Sequence, residues 1–122
     1  MTLYERVGGF PWFAALVDRF YDGVADDPIL RPLYPTDLSA SRAHLAGFLS
    51  QYWGGPPDYS AARGHPRLRM RHMPFVIGTA ERDAWLSHMS AAVGAAGLPA
   101  EDEAEVLAYF TNAADHLINA DG

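Results

Sequence analysis

Four stretches of this chain repeat apolar side chains every three or four residues, and strand-type alternation is scarce, so the fold has to be built from helices. Phe13, Leu16, Val17, Phe20 and Val24 mark one face of a helix expected to end near Ala25. Gly8-Gly9 precedes it, Pro11 suits its first helical position, and Asp26-Asp27-Pro28 breaks it. A short segment, Pro28–Leu33, ends near Tyr34-Pro35. A second helix is expected from Ser39 to Trp53, with Leu45, Phe48, Leu49 and Tyr52 as its apolar stripe; Gly54-Gly55-Pro56-Pro57 stops it and opens an irregular loop to about Arg63. A short helix then leads to His72, because Met73 precedes a proline. Thr79 is the expected cap of the next helix, which runs to about Ala96 before Gly97 and lines one face with Trp85, Met89, Ala92 and Val93. Pro99 starts the last helix, whose buried side is Val106, Leu107, Phe110, Ala113, Ala114, Leu117 and Ile118. The expectation is all-α: a single domain over residues 1–122, with two long helix pairs and an extended loop between them.

A domain of 122 residues buries roughly two thirds of the surface of its unfolded chain, enough for a core without disulfides. There is no cysteine, so thiolate ligands and thiol nucleophiles are excluded. No apolar run approaches the roughly 20 residues of a membrane span. The first residues lack the basic region and apolar run of a signal peptide, so a soluble cytoplasmic protein is the expectation, with no membrane partner.

The net charge is -6, yet residues 63–71 alone carry +4, leaving -10 for the rest. The run Arg63-Gly64-His65-Pro66-Arg67-Leu68-Arg69-Met70-Arg71-His72-Met73-Pro74-Phe75 holds four of the nine basic side chains, two of the five histidines and no carboxylate. A nucleic-acid binder would be basic more widely, so no nucleic-acid partner is expected. A small anion beside a histidine-ligated group suits the run better; haem, with an iron and two propionates, is one such ligand.

A lone histidine is ordinarily a surface or core-edge residue. His44 flanks the Leu45/Phe48 stripe, while His88 and His116 sit at the margins of their helices' apolar faces. No His-x-x-x-His or Glu-x-x-His pair occurs, which argues against a zinc or di-iron site in a helix bundle. His65, between Gly64 and Pro66, reads as a loop or cap residue. His72 falls in the last turn of a short helix, where its ring is well fixed, but spacing does not separate it from an ordinary helix end. Phe20, Tyr21, Tyr34, Tyr52, Trp53 and Trp85 all read as core, although a buried tyrosine needs a partner for its hydroxyl. Ser50 and Ser87 lie in no nucleophile elbow, and there is no Gly-rich phosphate loop. Taken alone, the residues reach a soluble helical domain with room for an anion or cofactor site.

Several stretches, in order over residues 7–86, resemble the truncated haemoglobins of group II. They are Val7-Gly8-Gly9, Arg19-Phe20-Tyr21, Leu33-Tyr34-Pro35, Phe48-Leu49-x-Gln51-Tyr52-Trp53-Gly54-Gly55-Pro56, Arg63-Gly64-His65-Pro66-x-Leu68-x-Met70-Arg71-His72 and Arg82-Asp83-x-Trp85-Leu86. The resemblance implies a two-over-two helical sandwich around haem b. It places the proximal iron ligand on His72 and a propionate beside Arg71, with His65 and Tyr59 as further contacts and Leu68, Met70 and Phe75 completing the haem surroundings. On the distal side it places Tyr21, Tyr34 and Trp85, with Leu45 and Phe48 as apolar walls. Ser41 falls where many globins have a distal histidine, and its small side chain leaves room near the iron.

The resemblance therefore implies reversible binding of oxygen, carbon monoxide, nitric oxide or another small ligand, with Tyr21 and Trp85 as main hydrogen-bond donors and Tyr34 modulating them. It also admits a redox enzyme on the same haem, a nitric oxide dioxygenase or a peroxidase. No distal His/Arg acid–base pair is apparent, which argues against an efficient peroxidase, and there is no flavin or nicotinamide domain, so an electron donor would be an external reductase. A helical interaction module without haem is the third alternative. Exposed apolar residues on the last helix would suit a homodimer, but nothing in the pattern demands more than a monomer.

Overall fold

The computed structural model describes residues 1–57 and 78–116, and every regular element among them is helical. A reciprocal cap starts the chain. Thr2 Oγ1 accepts the Glu5 N–H at 3.2 Å and the Glu5 carboxylate accepts the Thr2 N–H at 3.1 Å, which fixes α1 (Leu3–Arg6). Gly8 and Gly9 take φ values of 91° and 93° and turn the chain into α2 (Phe10–Ala25). Pro11 therefore stands second in the helix rather than first, still within the turn whose N–H groups have no helical partner. A 3₁₀ turn (Arg31–Leu33) follows, then α3 (Ser39–Tyr52), α4 (Thr79–Gly94) and α5 (Ala100–His116).

Helix α2 packs against both α3 and α4, and α4 packs against α5. The expected α2 stripe is the centre of the core: Phe13, Leu16, Val17, Phe20 and Val24 are all fully buried, joined by Leu49, Met89, Val93, Val106 and Phe110. Truncating one of the buried phenylalanines to alanine would cost about 3–5 kcal/mol. Arginines fasten the elements at their edges. Arg6 reaches Asp102 of α5 at 3.0 Å, Arg82 of α4 reaches Asp115 of α5 at 2.6 Å, and Arg19 Nε donates to the Ala92 carbonyl of α4 at 3.2 Å.

Three expectations need correction. The core face of α3 is Ala46, Leu49 and Ser50, continued by Trp53. Leu45 and Phe48 are only half-buried and Tyr52 is 54% exposed, so the stripe is rotated from the one the largest side chains suggest. Ala46 and Ser50 flank Leu49 on the core face, and Leu45, Phe48 and Tyr52 sit to the side. Thr79 is the first residue of α4 and not its cap; Gly78 caps it, donating its N–H to the Glu81 carboxylate at 3.1 Å. Helix α4 stops at Gly94, two residues before the expected end, and Gly97 supplies the positive φ of 71° that turns the chain toward α5.

The Gly54-Gly55 pair has a docking role. The Tyr4 N–H donates to the Trp53 carbonyl at 3.0 Å, seating α1 on the end of α3. A Cβ on Gly55 would come within 2.8 Å of the Ser50 carbonyl oxygen and of the Tyr4 ring. Gly54 has φ +107°, and a Cβ there would lie 2.6 Å from the Thr2 side chain. Gly54→Ala should therefore cost more than about 1 kcal/mol and lower the melting temperature by several degrees. Gly8→Ala, with φ +91° but nothing within 4 Å of the new methyl, separates backbone strain from the clash and should cost less. Equal melting of the two variants in calorimetry would refute the docking role.

Candidate functional site

Helix α2 delivers one polar group into its apolar face. Tyr21 follows the fully buried Phe20 and is itself 4% exposed. Its ring meets the ring of Tyr34 edge-on, with centroids 5.5 Å apart at 88°. Tyr34 is placed there by the 3₁₀ turn and by Arg31, whose guanidinium donates to the carbonyls of Tyr34 (3.3 Å), Pro35 (2.8 Å) and Thr36 (2.7 Å). That one cation satisfies three loop carbonyls, so the segment after the 3₁₀ turn has a defined path. Trp85 arrives from α4, its ring edge-on to Phe20 at 5.4 Å and to Phe110 at 5.8 Å. Its indole lies beside the Tyr34 hydroxyl.

The first turn of α3 closes the group from the other side. Ser41 lies beside the Tyr21 hydroxyl. Arg42 lies over the Tyr21 ring, 5.8 Å from its centroid, and bridges Asp18 and Asp22 of α2 at 3.1 Å each. Ion pairs this exposed add little stability, so their main effect is to hold the guanidinium over the ring. Leu45 and Phe48 follow Ser41 at four and seven residues, on one side of α3, and both are half-buried against the core.

Burial controls the protonation of both phenols. It pushes the Tyr34 hydroxyl up to about 12, against which neighbouring Trp85 acts. Tyr21 is raised further, by burial first and by neighbouring Tyr34 second, with Arg42 and Ser41 opposing. Both tyrosines stay neutral through the ordinary pH range. A phenol oxygen that accepts a bond from a neighbour still has its own proton to give. The cluster is thus a set of neutral donors in an apolar setting, able to point at an acceptor that gathers negative charge.

Tyr21, Tyr34, Trp85 and Ser41 are brought together as one contiguous group. Ser41 lies beside the Tyr21 hydroxyl as well as being a small residue, and the Trp85 indole lies beside Tyr34. His72, Arg71, His65, Tyr59, Leu68, Met70 and Phe75 lie outside the described residues, as do Leu117 and Ile118. His44 is half-buried on α3. His88 is more than a margin residue: its Nε2 lies 2.6 Å from Asp27 Oδ2. Sequence reasoning passed over Arg42; the hint was a pair of carboxylates, Asp18 and Asp22, one turn apart on the polar side of α2.

Residues 2–119 match the model of the bacterial-like globins. Among curated relatives, the group 2 truncated hemoglobin YjbI of Bacillus subtilis is 41% identical over 116 residues, covering 95% of this chain and 87% of that protein. The thermostable hemoglobin of Thermobifida fusca superposes with a TM-score of 0.95 at 54% identity, covering 98% of each chain. The group II truncated hemoglobin of Bacillus anthracis does so at 0.95 and 38%, covering 100% of this chain and 94% of that one. The chain belongs to the bacterial-like globin family, on the side of the group II truncated haemoglobins, with the two-over-two helical fold that holds haem and binds oxygen.

Proposed function

We propose that this globin holds haem b through His72 and binds oxygen or another diatomic ligand reversibly, with Tyr21, Tyr34 and Trp85 facing the ligand. The observation that carries this reading is the group of two neutral phenols and an indole, Tyr21 buried and Tyr34 and Trp85 half-buried, beside apolar rings. That donor chemistry fits the ligand side of a haem, and Leu45 and Phe48 fit its apolar walls.

Haem, when bound, supplies an iron that coordinates a diatomic molecule and shifts negative charge onto it. The chain's own residues do the rest. Tyr21 and Tyr34 keep protons to donate, Ser41 and Trp85 stand beside the two phenol oxygens, and the surrounding phenylalanines lower the local dielectric so that each donated bond is stronger. His72 would offer a neutral imidazole nitrogen, Arg71, His65 and Tyr59 would meet the propionates, and Leu68, Met70 and Phe75 would pack on the macrocycle. Carbon monoxide and nitric oxide belong to the same ligand class. A second reading is favoured by the contact of three oxidisable rings: nitric oxide dioxygenation or peroxide turnover driven by an external reductase. No described helix is long and apolar enough to cross a membrane. We assign the protein to the cytoplasm, as a monomer or homodimer.

Absorption spectra of the haem-loaded protein in ferric, ferrous and carbon monoxide forms test the assignment of His72. His72→Ala should abolish the imidazole-ligated spectrum, and a normal five-coordinate pigment in that variant would remove His72 from the site. Trp85→Phe should speed oxygen dissociation by about tenfold, the equivalent of ~1.4 kcal/mol, within the range of a hydrogen bond to a charged acceptor. An unchanged rate would remove Trp85 from the mechanism. Alkaline titration tests the buried phenol. The folded Tyr34 hydroxyl titrates near 12 against the usual 10, so its neutral form contributes stability that is complete below pH 10 and lost as pH rises toward 12. Tyr34→Phe should move the alkaline unfolding midpoint upward, while a midpoint that stays put would show that Tyr34 does not drive it.

A further inference from the structure

The indole of Trp85 and the hydroxyl of Tyr34 belong to elements far apart in sequence, α4 and the segment after α2, so their placement side by side requires those carriers to be held in register. One carboxylate touches both. Asp27 Oδ1 accepts the N–H groups of Ile29 at 2.8 Å and Leu30 at 3.3 Å, and the Asp27 carbonyl accepts the Arg31 N–H at 2.8 Å. Those bonds fix the start of the 3₁₀ turn, and Arg31 then fixes the carbonyls from Tyr34 to Thr36. The other oxygen, Oδ2, lies 2.6 Å from His88 Nε2, and His88 stands three residues after Trp85, one turn along α4. The His88 ring lies against α2 at Gly23, where a methyl would overlap it. A continuous path therefore runs from Tyr34 through Arg31, Asp27 and His88 to α4, one turn from Trp85.

We infer that the His88–Asp27 contact is a positioning pair that sets the placement of the Trp85 indole beside Tyr34, a role for the ligand site that rests on the function proposed above. Neither residue touches the Tyr21/Tyr34/Trp85 group directly among the contacts described here; they act through the elements that carry it. Asp27 is a poor probe, since it also holds the turn through Ile29 and Leu30. His88 and Gly23 approach the contact from its two sides. Gly23→Ala raises helix propensity in α2, so any loss it causes arises from the displaced ring.

The experiment uses the full haem-loaded chain in its carbon monoxide form, observed by proton–nitrogen correlation of the indole N–H groups. The chain has three tryptophans, and the Trp85 signal is the one missing from Trp85→Phe. His88→Leu and Gly23→Ala should each shift the Trp85 signal and speed its exchange with solvent, leaving those of Trp12 and Trp53 in place. His88→Gln, which keeps an N–H donor for Asp27, should restore it. Oxygen dissociation should rise about three- to tenfold in His88→Leu, and by nothing further when Trp85→Phe is already present. A Trp85 signal unmoved in both folded variants overturns the inference, as does a full His88→Leu effect on dissociation in the Trp85→Phe background. If the signal moves while Trp85→Phe leaves dissociation unchanged, the positioning pair is upheld and it is the donor role of Trp85 that falls. Should His88→Leu not fold, Gly23→Ala against His88→Gln decides alone.

Discussion

A phenol taken out of water has to find a partner or give up several kcal/mol (about 2–7 on transfer scales), and much of the packing of α2, α3 and α4 follows from that requirement. Tyr21 and Tyr34 lie in the same apolar mass as Phe20 and Phe110. Each has a polar side chain beside it from a different helix, Ser41 from α3 and Trp85 from α4. Moving either helix by a fraction of a turn would carry that neighbour away. The core therefore does more than exclude water. It specifies one relative placement of three helices, because hydrogen bonds are directional where apolar contact is not.

Charge is used in a similar way. All five arginines among the described residues, Arg6, Arg19, Arg31, Arg42 and Arg82, are engaged in fastening one part of the fold to another. The remaining four sit in the run from Arg63 to Arg71, with no carboxylate among them. Basic charge in an acidic chain is thus divided between internal fasteners and one concentrated run. That division suits a small anionic partner better than a broad polyanion surface.

The helical layout was readable in the sequence where glycine, proline and apolar spacing agreed, as they do around α2 and α5. It was less readable where they competed. In α3 the largest apolar residues, Leu45, Phe48 and Tyr52, drew attention from the small ones, Ala46 and Ser50, that lie on the core face. At Thr79 the usual preference for a hydroxyl cap lost to Glu81, which caps the N–H of Gly78 from inside the helix. Within the site, Tyr21, Tyr34 and Trp85 came from resemblance, since isolated aromatic residues are ordinarily core. The meeting of Ser41 with Tyr21 and the pairing of His88 with Asp27 join residues distant in the chain, 61 positions apart in the latter case, and no local pattern reports a partner that remote.

The seating of Tyr4 on Trp53 bears on how the molecule assembles. The backbone bond between them closes a loop spanning most of α1, α2 and α3, so the opening residues have no lasting place until α3 exists. During synthesis Tyr4 leaves the ribosome well before its partner, and the α1 turn, at four residues, is too short to persist alone. Helix α2 has to wait as well, because its apolar side is shared between two later helices. Assembly is therefore expected to be late and concerted, with the beginning of the chain among the last parts to settle.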